Sequence, residues 1–139
     1  MNAVIYVSKC GNTKKLADAI AKGAGVKAQS AANAANLTQA DILFIGDSIY
    51  GGRMSGVLRR FLQNLDRKQA AKVVVFGTSA SGKSIRAEVT SILEPKGIPV
   101  AGEAFHCKGS FLCVNLGHPN AADLEQAENF AKQTCKAGL

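Results

Sequence analysis

Residues 6–13 read YVSKCGNT and mark the point where an apolar run ends in a turn and an amphipathic segment begins. The run AVIYV at 3–7 is short, apolar and rich in β-branched residues, which predicts a buried strand. Apolar residues then recur at helical spacing along 13–23, which predicts a helix. A strand, a glycine-containing turn and a helix form the unit from which open α/β sheets are built.

The same alternation continues to the end of the chain. Apolar runs predict further strands at 26–29, 41–46, 72–77 and 98–106, and amphipathic spacing predicts helices at 55–65, 82–94 and 120–136. Residues 30–37 are predicted as a loop or a weak helical turn. Buried strands separated by helices predict a single doubly wound α/β domain over 1–139, with five parallel strands in the order 2-1-3-4-5 between two helical layers.

Local signals refine these elements. A glycine is expected to end the strands at 41–46 and 72–77. Ser55 is expected to cap the second helix, whose buried face is predicted to hold Val57, Leu58, Phe61, Leu62 and Leu65. The third helix should close at Pro95 and Gly97.

The composition excludes several classes of protein. A chain of 139 residues that is 47% hydrophobic fits one domain with its own core. No apolar run approaches the about 20 residues of a membrane span, and the first residues have neither the basic region nor the cleavage site of a signal peptide. We therefore expect a cytoplasmic protein whose four cysteines, none of them in a C-x-x-C pair, are reduced.

The charge balance is basic, with 17 Lys and Arg against 10 Asp and Glu, a formal net charge of +7. A nucleic-acid partner is not expected, because the basic residues are spread along the chain and two Tyr and no Trp leave few stacking platforms. An anionic ligand or an acidic protein partner accounts for the charge more economically.

Three small, polar, glycine-containing loops should meet at one edge of the sheet. Ligands of open α/β sheets bind beyond the carboxyl ends of the strands, where the strand order reverses. The loops that follow the first, third and fourth strands are SKCGNT (8–13), DSIYGGRMSG (47–56) and TSASGKS (78–84). In the first, the hydroxyls of Ser8 and Thr13, the close approach allowed by Gly11 and a helix N-terminus suit a phosphate group.

Other interpretations of these segments fit less well. Cys10 at a helix N-terminus could act as a nucleophile, but a C-x5-R phosphatase loop needs an arginine at position 16, which is Leu16. A response-regulator receiver needs an acidic cluster after the first strand, and Asp47 would stand alone. Two His and two Cys within 106–118 are zinc-ligand types, but their spacing matches no compact site. No G-x-x-x-x-G-K-[ST] motif is present.

Taken together, the loops resemble those of the flavodoxin family. Ser-x-x-Gly-Asn-Thr after the first strand is similar to the FMN phosphate loop, and GDSIYGG after the third resembles the loop whose large residue stacks on the flavin ring. FGTSASG resembles the loop that reaches the polar edge of the ring through backbone groups. The likeness extends from Ala3 to the last helix, and FHCKGSF and GHP are similar to segments of small stand-alone members of the family.

The resemblance implies a flavodoxin-like fold with FMN as cofactor, and it assigns residues by their position in the motifs. The phosphate would be held by Ser8, Lys9, Cys10, Gly11, Asn12 and Thr13. The ring would be flanked by Ser48, Ile49, Tyr50, Gly51 and Gly52 and closed on its other side by Thr78, Ser79, Ala80, Ser81 and Gly82. Tyr50 is the expected stacking residue, and neither a catalytic side chain nor a metal is implied.

The chain departs from the family pattern in two respects. Familiar flavodoxins are acidic, whereas cations stand in or beside the loops at Lys9, Lys14, Lys15, Arg53 and Lys83. Because positive charge favours the anionic reduced flavin, we expect a less negative potential than acidic flavodoxins have. Tyr50 is also the one aromatic residue of the first two loops, so we expect a more exposed ring or weakly held FMN.

The expected function is therefore electron transfer by bound FMN to a partner reductase or oxidoreductase with an acidic docking surface. The resemblance includes small members that serve larger reductases, among them tetrapyrrole (bilirubin-type) reductases. Two alternatives stay open: an NAD(P)H-dependent FMN reductase of small molecules, and a flavin-free binding module on the same fold. The flavin would supply the chemistry in the first two cases.

Overall fold

Parallel strands form the centre of the protein, and a computed structural model describes residues 2–7, 12–33, 37, 39–49, 54–79, 85–101, 104–107 and 120–136. The first four strands are β1 Ala3–Tyr6, β2 Ala28–Ser30, β3 Leu43–Ile49 and β4 Val73–Ser79. They lie in the order 2-1-3-4, and every pair is parallel. A short β5, Phe105–Cys107, pairs in parallel with the end of β4. The predicted order of the first four strands is confirmed.

In the described part of the chain, four α-helices cover the sheet. They are α1 Asn12–Ala24, α2 Gly56–Asn64, α3 Arg86–Leu93 and α4 Ala121–Lys136, with 3-10 turns at Ala31–Asn33, Arg67–Gln69 and Glu94–Lys96. Side chains of successive strand residues point to opposite faces of a sheet, and both faces here are apolar. One core contains Ile5, Leu43, Ile45, Val73 and Val75 beneath α2 and α3, and the other contains Val4, Phe44, Val74 and Phe76 beneath α1 and α4.

The layer of α1 and α4 is built from small residues. Gly23 on α1 lies so close to α4 that a Cβ built on it would overlap the backbone oxygen of Glu128 and come within 2.9 Å of the Ala131 Cβ. Ala127 and Ala131 on α4 are fully buried. Close approach of the two helix backbones therefore depends on the absence of side chains at the contact.

The layer of α2 and α3 is held by capping and by leucines. Ser55 caps α2 as predicted, since its Oγ accepts the N–H of Leu58 at 3.2 Å. At the other end, the Lys96 ammonium donates to the carbonyl oxygens of Leu62 at 3.1 Å and Leu65 at 3.0 Å, and also to that of Gln63. A cation at this helix end compensates the partial negative charge of its last turn.

The predicted glycine ends of two strands are wrong. Gly46 and Gly77 lie inside β3 and β4, which both continue for at least two residues and remain paired, with Asp47 opposite Gly77. Gly46 is needed for packing, because a Cβ there would overlap the ring of Phe76. These glycines make room for neighbouring groups and do not end the strands.

Other boundaries move for identifiable reasons. α1 runs on to Ala24 and turns through Gly25, whose φ of 76° is left-handed, so β2 begins at Ala28 and not at 26. The predicted strand at 98–106 is reduced to a bridge between Val100 and Val73 and the short β5. Pro99 lacks the N–H that a continuous ladder would require, while Gly97, with φ of 79°, closes the preceding turn as predicted.

Candidate functional site

The carboxyl ends of β1, β3 and β4 lie side by side. Tyr6 is opposite Gly46, and the N–H of Val7 donates to the Gly46 oxygen at 3.0 Å. Farther along, Ser48 is opposite Thr78 and Ile49 is opposite Ser79. The strand order reverses at this point, because β2 and β3 flank β1 on opposite sides. All three predicted loops therefore follow strands that end at the same edge of the sheet, at its topological switch point.

The first of these connections ends at the N-terminus of α1. The helix begins at Asn12, its first turn contains no acidic residue, and Thr13 is fully buried. Lys14, in the same turn, forms an exposed ion pair with Asp18 at 3.5 Å. Backbone N–H groups at such a helix start favour an anion, and no carboxylate of the first turn opposes one.

The second connection is closed at its base by a buried carboxylate. Asp47 is 1% exposed, and its Oδ2 accepts the N–H of Ser55 at 2.6 Å. Met54, one residue earlier, is buried in the core beneath α2. The two ends of the segment 48–54 are thus tied together at the sheet edge by a short hydrogen bond.

The sequence reasoning considered Asp47 only as a phosphoacceptor and missed its structural role. A signal was available: an acid directly after an apolar run, with a helix-capping serine eight residues later. At the same level, β3 and β4 approach closely, since a Cβ on Gly77 would lie 2.8 Å from the Asp47 backbone oxygen. The edge on which the second and third connections stand is therefore tightly built.

The structure locates some of the predicted site residues and leaves others outside its description. The backbones of Asn12, Thr13, Ser48, Ile49, Thr78 and Ser79 lie at the carboxyl edge, at the start of α1 or at the ends of β3 and β4. Outside the described residues lie Ser8, Lys9, Cys10, Gly11, Tyr50, Gly51, Gly52, Ala80, Ser81 and Gly82. The described members of each group are thus brought to one edge, and the roles assigned to all of them stay predictions.

Metal ligation and thiol chemistry have little support in the described part of the chain. Within it, no three His, Cys, Asp or Glu side chains come together as they would around a metal ion. The free thiol of Cys135 is half-buried and accepts a hydrogen bond from the Asn2 amide at 3.1 Å, and burial raises its pKa. This thiol therefore stays protonated and weakly nucleophilic. Cys10, Cys113 and His118 lie outside the described residues.

Among the helices that the structure describes, none combines the length and apolar character needed to cross a bilayer.

Comparison with known proteins identifies a matching family and a relative of this chain. A family model described as a flavodoxin domain matches residues 3–102. An uncharacterised protein of Methanocaldococcus jannaschii is 32% identical over 107 residues, which span 69% of this chain and 70% of that protein.

Solved structures show the same fold. A flavodoxin from the domain Archaea has a TM-score of 0.75 at 21% identity, covering 99% of this chain and 98% of the other. Flavodoxin 2 from Bacillus cereus has a TM-score of 0.69 at 22% identity, with 99% of each chain covered. A WrbA-like flavodoxin from Agrobacterium tumefaciens has a TM-score of 0.73 at 18% identity, covering 98% of this chain and 95% of the other. Because the family match spans β1 to β4 and the first three helices, this chain belongs to the flavodoxin family.

Proposed function

We propose that this chain binds FMN at the carboxyl edge of its sheet and delivers electrons to a partner oxidoreductase. The observation that supports this most is the convergence of the ends of β1, β3 and β4 with the N-terminus of α1 at one switch point. Family membership points to the same class of cofactor.

The donors at this edge fit the phosphate of FMN. The start of α1 offers backbone N–H groups, an acid-free first turn and the buried Thr13. In the proposal, the phosphate is held by the six residues from Ser8 to Thr13, as the motif implies.

The other two connections would hold the flavin ring. Ser48–Gly52 and Thr78–Gly82 are proposed to lie on either side of it, with Tyr50 stacked on its face. The bond from Asp47 to Ser55 supports this assignment, because it fixes both ends of the loop that carries Tyr50. A loop held at its base places a stacking residue at less entropic cost than a free one.

Bound flavin would supply the redox chemistry, and the protein would set its exposure and potential. Asp47 is engaged in closing its loop, so we assign it a positioning role. The proposal further includes β5 as the edge strand of a complete 2-1-3-4-5 sheet and a cytoplasmic location for the protein.

The phosphate site can be tested through Thr13. A bulky residue would disrupt this fully buried position, so we choose Thr13→Val, which keeps the volume and removes the hydroxyl. If the hydroxyl binds phosphate, FMN affinity should fall about tenfold or more, measured by quenching of flavin fluorescence. Thr90→Val on α3 is the matched control, since the Thr90 hydroxyl donates to the Arg86 oxygen at 2.8 Å. Equal affinities of the two variants would contradict the assignment.

Anaerobic addition of NADPH to the FMN-loaded protein separates the three functional classes. Flavin that stays oxidised until a partner protein is added supports the carrier. Bleaching by NADPH alone would identify an NAD(P)H-dependent FMN reductase of small molecules. A protein that takes up no FMN would be a flavin-free binding module, and the proposal would be wrong.

The basic surround also predicts a redox property. The midpoint potential of bound FMN should be less negative than in acidic flavodoxins, because nearby cations stabilise the anionic reduced flavin. Lys15 is exposed on α1, beside the proposed phosphate loop. Lys15→Gln should lower the potential by roughly 5–20 mV. An exposed charge pair contributes about 0.2–1 kcal/mol, and for a two-electron couple about 1.4 kcal/mol corresponds to about 30 mV. Potentiometric titration measures both values, and a potential as low as in acidic flavodoxins would contradict the expectation.

A further inference from the structure

α2 has a second face beside the one that enters the core. Leu58 and Leu62 are fully buried beneath the helix. The second face consists of Val57, Arg60, Phe61 and Asn64, which follow the spacing i, i+3, i+4 and i+7 and therefore lie side by side on the helix. It borders the 3-10 turn that follows β2. The second face and this turn line a cavity of about 460 Å³, which we call the α2 groove; its lining includes Val57, Arg60, Phe61, Asn64, Ala31 and Ala32.

The groove is apolar at one end, contrary to the prediction that Val57 lies on the buried face of α2. Val57 is 45% exposed and is the one large hydrophobic side chain classed as exposed in the described part of the chain. Phe61 is half-buried, with part of its side chain packed against the core. Val57 and Phe61 together offer a small apolar contact within the groove.

The groove also carries an exposed positive charge, Arg60. Arg59 is already bound to Glu88 at 2.7 Å, whereas Arg60 is exposed and makes no ion pair or side-chain hydrogen bond with any residue that the structure describes. Asp66 is the single acid between positions 54 and 72, and its carboxylate accepts the N–H of Lys68 at 2.9 Å. Nothing on this stretch of chain therefore neutralises Arg60.

We propose that the α2 groove docks an acidic segment of the redox partner protein. A carboxylate of the partner pairs with Arg60, and a neighbouring apolar side chain packs between Val57 and Phe61. The inference rests on the proposed function and specifies where its partner binds.

Position in the fold supports this occupant. α2 begins immediately after Ser55, whose N–H is bound to Asp47 at the carboxyl edge of the sheet. A protein seated on the first turns of α2 is therefore beside the proposed flavin loop, as electron transfer requires. A second copy of this chain is disfavoured, because a two-fold contact through the groove would bring Arg60 against Arg60 between molecules of net charge +7.

Two synthetic peptides test the groove directly. The first has Leu and Phe flanked by Glu residues, and the second has Lys in place of every Glu. Titrated into the isotopically labelled protein at low ionic strength, the Glu peptide should shift the backbone amide signals of residues 57–64 and 31–32, and the Lys peptide should not. Binding should weaken as salt is added, since the contact is at an exposed charge.

Matched variants show whether the groove itself is responsible. Arg60→Glu and Val57→Ser should each weaken binding of the Glu peptide about fivefold. Lys136→Glu changes the net charge as much as Arg60→Glu, but it lies at the end of α4, and it should leave the affinity within about twofold. An equal loss in Arg60→Glu and Lys136→Glu would reduce the effect to overall charge and overturn the proposal.

Other outcomes would overturn it as well. Absence of peptide binding would do so, and so would shifts located elsewhere than the groove. Groove signals that shift with protein concentration alone would identify a second copy as the occupant. Stronger displacement of the same signals by a single-stranded oligonucleotide would identify nucleic acid.

FMN affinity, measured on the same samples, separates this inference from the proposed function. Arg60→Glu should bind FMN like the wild type, yet transfer electrons about fivefold more slowly to an acidic [2Fe–2S] ferredoxin at low ionic strength. FMN binding without peptide docking would contradict the docking role of the α2 groove but not the proposed function. Peptide docking without FMN binding would overturn the proposed function and the redox identity of the partner.

Discussion

The two helical layers of this protein use their surfaces differently. In the α1–α4 layer, small residues such as Gly23, Ala127 and Ala131 let the two helices approach closely. In the α2–α3 layer, leucines anchor α2 to the sheet, and its outer face borders an open groove with Arg60 at the surface. The first layer buries its contacts between helices, while the second leaves an apolar and a charged side chain exposed.

The difference indicates which substitutions each layer tolerates. A close contact between helix backbones has no space for an added methyl group, because protein interiors are packed as densely as organic crystals. A helix with an open flank can accept changes there without disturbing the core. Substitutions in each layer can test this contrast.

Gly23→Ala should strongly destabilise the protein. The added methyl would overlap the Glu128 backbone oxygen, and the helix backbones would have to move apart. Overpacking of this kind costs about 1–3 kcal/mol, and the better helix propensity of alanine, worth about 1 kcal/mol, offsets only part of it. Because the overlapped atom is a backbone oxygen, the upper end of that cost applies, and we expect a net loss of about 2 kcal/mol in the free energy of unfolding, measured by urea denaturation.

Gly56→Ala is the matched control in the other layer. A Cβ on Gly56, the first residue of α2, would meet no atom within 4 Å. The same substitution should therefore be neutral or stabilise by up to about 1 kcal/mol. If both variants lost the same stability, the two layers would not differ in the way described.

Lys96→Met should have an intermediate effect, confined to the α2–α3 layer. The ammonium group of Lys96 satisfies three carbonyl oxygens at the end of α2. Methionine retains most of the chain length but donates no hydrogen bond, so we expect a loss of about 1–2 kcal/mol after allowing for partial exposure. Lys68→Met, at a residue whose side chain is exposed, should change the unfolding free energy by less than about 0.5 kcal/mol. Equal effects in both variants would contradict the capping role.

Glu128→Gln should have the smallest effect and depend on pH. Glu128 bonds to Lys132 at 2.9 Å and pairs with Lys22 of α1 at 3.6 Å, and the hydrogen bond to Lys132 is the main reason why its pKa lies below 4.5. A carboxylate whose folded pKa is lowered contributes stability above its unfolded pKa and loses it as pH falls through the folded value. Thermal denaturation should therefore show a small deficit for the variant at neutral pH that begins to shrink near pH 4.5 and is lost as the pH falls below the lowered folded pKa. A deficit that persists in acid would have another origin.

Much of the fold could be predicted because its signals are local. Apolar runs and helical spacing identified the four helices and the order of the first four strands. The predictions that were wrong concern residues whose position depends on contacts with residues distant in the sequence. Gly46 gives space to Phe76 within the sheet, and Val57 is exposed because α2 is oriented by Leu58 and Leu62.

The sequence predicted which edge of the sheet carries the candidate site. Parallel strands necessarily present their carboxyl ends together, so the first, third and fourth connections could be assigned to one place from the strand order alone. The tie between Asp47 and Ser55 could not, since it depends on where α2 begins relative to the end of β3. No periodicity in the chain encodes that distance.

The sequence by itself therefore determined the layered architecture, the motif that leads into α1 and the excess of positive charge. These properties follow from spacing and composition along the chain. Tertiary structure alone decided that Gly23 faces α4, that Asp47 closes a loop, and that Val57, Phe61 and Arg60 share a groove. Each of these depends on contacts between residues on separate elements, and such contacts exist only once the helices have packed on the sheet.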